Sequence, residues 1–60
     1  MKPHEIENAI GEELADDAAD YWNGCSRELR DEYVVLAQRD GFWNAVCDIR
    51  KDAMHNPTVD

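Results

Sequence analysis

Sixty residues carry fourteen Asp and Glu against six Lys and Arg, a net charge of −8, which leaves room for one small domain, residues 1–60, and none for a separate cofactor-binding domain. The balance opposes nonspecific attraction to phosphate backbones or anionic lipid and favours basic partners. A chain of this size keeps about 4,000 Å² of surface when folded, with burial gain and ordering cost nearly cancelling, so apolar surface covered by self-association or a partner adds directly to stability.

The opening residues, Met1-Lys2-Pro3-His4-Glu5, lack the apolar stretch of a signal peptide, and the longest apolar run, residues 33–37, is far too short to span a membrane. A cytoplasmic chain is expected, with no membrane partner and with Cys25 and Cys47 as reduced, packed thiols. The first predicted helix covers residues 3–23. Pro3 suits its first turn, where the missing N–H is harmless, and Gly24 is placed to supply a left-handed terminal residue. At 100° per residue Ile10, Leu14, Ala18, Tyr21 and Trp22 share a face, flanked by Ile6 and Ala15. On the opposite side Glu5, Glu12, Glu13, Asp16, Asp17 and Asp20 form an acidic arc with no basic residue among them.

Ser26 is the expected N-cap of a second helix over residues 27–40, which Gly41 stops. Its inner stripe is Leu29, Tyr33, Leu36 and Ala37. Val34 and Val35 lie to either side of that stripe, so this helix is apolar over a wide arc and is expected to be central or shared. A third helix over residues 42–54 sets Phe42, Val46, Ile49 and Ala53 on one face. A second line, Trp43, Cys47 and Met54, interrupted by Arg50, points about 100° away. Pro57 closes the helical region, leaving residues 55–60 as a frayed tail. Nothing alternates with period two over a useful length, so the expected fold is all-α: a small three-helix bundle or helical hairpin, self-associating, as short connections favour.

The acidic arc suits docking on a basic patch of a partner, with carboxylates standing where nucleic-acid phosphates would. The simpler alternative is a solvated face that keeps a small protein soluble. Carboxylate pairs on an exposed helix lack the burial that tunes catalytic pKa values, and no Gly-bearing loop spaces oxygen ligands for a hard cation. His4, Cys25, Cys47 and His55 are single and scattered, against the close pairs of structural zinc sites. Ser26 next to Cys25 has no identifiable base, and capping explains it. No enzyme activity, metal or cofactor is expected.

Residues 37–41, Ala37-Gln38-Arg39-Asp40-Gly41, resemble the turn of a helix-turn-helix element, which would imply a DNA-binding regulator with Phe42, Trp43 and Asn44 opening the recognition helix. Only Arg50 and Lys51 follow as bases, and with net −8 the pattern disfavours nucleic acid. Val34, Val35, Trp43, Cys47 and Met54 are the expected dimer or partner interface, since aromatic and Met residues are enriched at interface centres, with Arg39 and Arg50 at its rim. The leading expectation is a regulatory or inhibitory protein that binds a protein partner and occludes a basic site. A helix-turn-helix-like regulator and a structural assembly subunit are the alternatives. Size and acidity are of the kind found in small accessory proteins of bacteria and their phages, an analogy of style alone.

Overall fold

A computed structural model describes residues 2–55; His55, expected in the frayed tail over 55–60, is helical instead, and the expectations for Pro57 and for residues 56–60 lie outside the described residues. Four helices follow one another among them: α1 (Pro3–Glu13), α2 (Asp16–Gly24), α3 (Arg27–Asp40) and α4 (Phe42–His55). The principal extents are 35 × 18 × 18 Å and the exposed surface is 4224 Å², close to the expectation from chain length. The last two helices match their predicted bounds to within a residue. Ser26 Oγ accepts the Leu29 N–H at 3.2 Å and so caps α3. Gly41, at φ 109°, ends α3 in a conformation that L side chains rarely adopt.

The single helix expected over residues 3–23 is two, and the three-helix expectation is corrected to four. Leu14 and Ala15 are extended, and Asp16 takes φ 55°. The reason is tertiary. In an unbroken helix Gly11 and Trp22 would stand about 16 Å apart along the axis. Here the chain folds back so that a Cβ added at Gly11 would sit 3.3 Å from the indole Nε1 of Trp22. The absent side chain at Gly11 is what lets the indole approach α1. Ala15, expected beside the core stripe, is exposed as the N-cap of α2. Gly24 is the last residue of α2 and is not in the left-handed region. Asp is among the few residues that enter that region at modest cost, and Asp16 with Asp17 places negative charge on the first turn of α2, where the helix dipole favours it.

Asp16→Gly should leave stability within about 0.5 kcal/mol, relief of strain offsetting the greater freedom of glycine in the unfolded chain. Asp16→Val should cost about 1–2 kcal/mol, because a β-branched side chain does not accept positive φ. Thermal unfolding followed by circular dichroism separates the two, at about 4–8 °C per kcal/mol for a domain of this size.

Ile6, Ile10, Leu14, Trp22, Tyr33, Val34, Ala37, Ala45, Val46 and Ile49 form one core cluster, with Ala53 buried as well. Its centre is α4, which packs against all three other helices and contributes the inaccessible Ala45, Val46 and Ile49. Of the expectation that the helix over 27–40 is central or shared, the second alternative holds, since α3 packs against both α4 and α1. The apolar width of α3 has a definite use: it faces both of these helices, and Tyr33, Val34 and Ala37 are all buried, Val34 to 4% exposure.

Candidate functional site

Polar contacts tie the helices together before any surface is left for a partner. Glu7, outside the predicted acidic arc, turns toward α3, where its carboxylate pairs with Arg27 at 2.9 Å and Arg30 at 3.4 Å. Arg30 also donates to the Asn23 carbonyl at 3.2 Å and lies 5.3 Å from the Trp22 ring centroid. One guanidinium therefore touches α1, α2 and the packed indole. Inside, Tyr33 donates its hydroxyl proton to Asp52, which leaves its oxygen to accept from Tyr21 at 2.9 Å. The Cys25 thiol donates to the Tyr21 carbonyl at 3.2 Å. Burial, then the bond to Asp52 and the bond to Tyr21, hold the Tyr33 phenol well above the ordinary tyrosine range. Burial raises the Cys25 thiol too, against the bond to Tyr21 and the nearby Arg30 charge.

Packing is the expectation for Tyr21, Trp22, Tyr33 and Cys25, but their polar partnerships are not legible in the sequence, since a lone Tyr or Asp at helical spacing carries no signal of its partner. The relay joins α2, α3 and α4. Every member finds its partner within the chain, as a packed polar connection requires.

The predicted acidic residues are all exposed but do not lie on one helix face. The break at 14–15 gathers Glu12, Glu13, Asp16, Asp17 and Asp20 around the α1–α2 corner. Glu5 stays apart at the start of α1, where its carboxylate accepts the Lys2 N–H at 3.2 Å. Glu13 meets Arg50 of α4 at 3.9 Å, whereas Glu12, Asp16, Asp17 and Asp20 make no ion pair among the described residues.

The predicted apolar interface divides in a similar way. Trp43 is 60% exposed, Met54 81% and Val35 47%, and Cys47 is an exposed free thiol, not the packed one expected of it. Val34 is in the core and leaves this set. Phe42 is half-buried and supports Trp43 edge to face at a centroid distance of 5.1 Å. Trp43, Cys47, Arg50 and Met54 fall at i, i+4, i+7 and i+11 on α4, one stripe of one helix. The Glu13–Arg50 contact joins that stripe to the acidic corner.

The connection between α3 and α4 is Gly41 alone, where a helix-turn-helix element uses three or four residues. Asn44, expected to open a recognition helix, turns its amide back to the Asp40 carbonyl. Arg27, Arg30 and Arg50 pair with carboxylates of the chain itself, so the fold assembles no basic patch from them. Among the described residues no cluster of His, Cys, Asp and Glu is arranged to hold a metal ion, and no helix is long and apolar enough to cross a membrane. No protein-family model, curated protein or solved structure matches this chain.

Proposed function

We propose that the chain is a small acidic binding protein that docks on a basic protein surface and occludes it, using the α1–α2 corner and the α4 stripe as one surface. The observation that carries this reading is the Glu13–Arg50 contact, which sets the acidic α1–α2 corner against the α4 stripe that carries the exposed Trp43 and Met54. Protein interfaces commonly have that anatomy, an aromatic and Met centre with charge at the rim. Solubility alone explains exposed acids but gives no reason for a Trp and a Met to stand beside them. The occluded site is one that would otherwise hold phosphates, because closely spaced carboxylates present a similar row of negative oxygens. No catalytic step is assigned to the chain.

Capture from a cell lysate, comparing the natural chain with D16K/D17K/D20K, tests the electrostatic half. Proteins of basic isoelectric point should be retained by the former at low salt and lost from the latter, with at least about tenfold less bound. Retention of the same proteins by both would show that the carboxylates only solubilise.

A further inference from the structure

An exposed face outside the composite surface lies on α3. Asp31, Glu32, Val35, Leu36 and Arg39 line a shallow, mainly apolar furrow along that helix. Asp31, Val35 and Arg39 form one ridge at i, i+4 and i+8, and Glu32 with Leu36 form the next. Arg39 makes no ion pair among the described residues, although acids outnumber bases by more than two to one. Nor does Glu32.

We propose that this furrow is the contact between two copies of the chain, paired antiparallel about a twofold axis at Val35. The charge pattern selects that occupant and that orientation. Asp31 and Arg39 are equally far from Val35, about 6 Å along the axis on either side. A twofold antiparallel pair therefore sets Asp31 and Glu32 of each copy against Arg39 of the other, twice, with Val35 against Val35 between them. A parallel pair would set like charges together. Two ridges at i±4 spacing interlock when helices cross at about −50°, so Val35 and Leu36 of one copy fill the furrow of the other. This contact uses no residue of the α1–α2 corner or the α4 stripe, so a dimer would present two copies of the partner-binding surface. It stands or falls independently of that reading.

Sedimentation equilibrium of the whole chain between about 5 μM and about 1 mM covers the weak range expected of a single helix pair. The natural chain should pass from monomer to dimer, and V35E, at a position open enough to leave the fold intact, should weaken dimerisation roughly tenfold or more. D31K/E32K alone and R39E alone should both stay monomeric, each being self-repulsive, while an equimolar mixture of the two should form a heterodimer. Circular dichroism confirms that each variant retains its helices. A natural chain monomeric throughout, a dimer that survives V35E, a dimer lost in W43A/M54A instead, or a mixture that fails to associate would each overturn the proposal.

Discussion

Ile49→Ala should lower stability by about 3 kcal/mol, within the 2–5 kcal/mol typical of such truncations, and lower the midpoint of thermal unfolding by roughly 12–24 °C. Ile49 is inaccessible to solvent and sits on α4, the helix that all three others contact, so the cavity is walled by several elements and cannot close by moving one. A domain of sixty residues has a total stability of only about 3–9 kcal/mol, so this change removes a third of it or more. On the same helix Met54→Ala should change stability by less than about 0.5 kcal/mol, because Met54 is almost fully exposed. The pair of variants, measured by urea unfolding, separates the face of α4 that holds the fold from the face left for association. Equal losses at both positions would mean that Met54 is covered in solution.

Tyr33→Phe should cost about 1–3 kcal/mol near neutral pH, since it leaves Asp52 and the Tyr21 hydroxyl without their shared partner. Its larger effect is on the alkaline limb. The phenol is held above its ordinary value in the folded chain by burial and by the bonds to Asp52 and Tyr21. With the folded pKa raised, the unfolded state is first to lose the proton, so the native state binds more protons above about pH 10 and stability falls as pH rises. One such proton gives a slope of about −1.4 kcal/mol per pH unit, starting near the unfolded pKa. Cys25, also raised, contributes with the same sign from nearer pH 9. Stability against pH from urea midpoints should therefore fall less steeply above about pH 10 in Tyr33→Phe than in the natural chain. Absorbance of tyrosinate should appear for Tyr33 only together with unfolding. A normal titration of all tyrosines in the folded chain would contradict the relay.

The all-α class and the ends of α3 and α4 were legible in the sequence because local chemistry determines them: a serine cap, a glycine stop and period-3.6 stripes whose Tyr33, Ala37, Val46 and Ile49 are buried. The break at Leu14-Ala15 was not, since neither glycine nor proline marks it and the apolar residues on both sides keep one helical phase. It depends on a contact eleven residues apart, between Gly11 and Trp22. The burial of Val34 escaped for a similar reason: one helix does not reveal that it will have two neighbours. The exposed stripe of α4 was legible from the angle between its two apolar lines. Its junction with the acidic corner through Glu13 and Arg50 was not, because projecting residues 3–23 as one cylinder spreads the acids along a face that does not exist. Glu7 and Asp52 were invisible as structural groups, their partners lying twenty or nineteen residues away.

The kinetics of binding to a partner recovered by capture test the joint use of corner and stripe most directly. With the natural chain, D16K/D17K/D20K and W43A measured from low to high salt, the corner variant should chiefly slow association and flatten its salt dependence, because exposed charges steer encounter. The Trp43 variant should instead speed dissociation from the same partner, by about tenfold or more, because a desolvated aromatic anchor holds the formed complex. A partner whose association and dissociation are unchanged by both variants would contradict the composite surface.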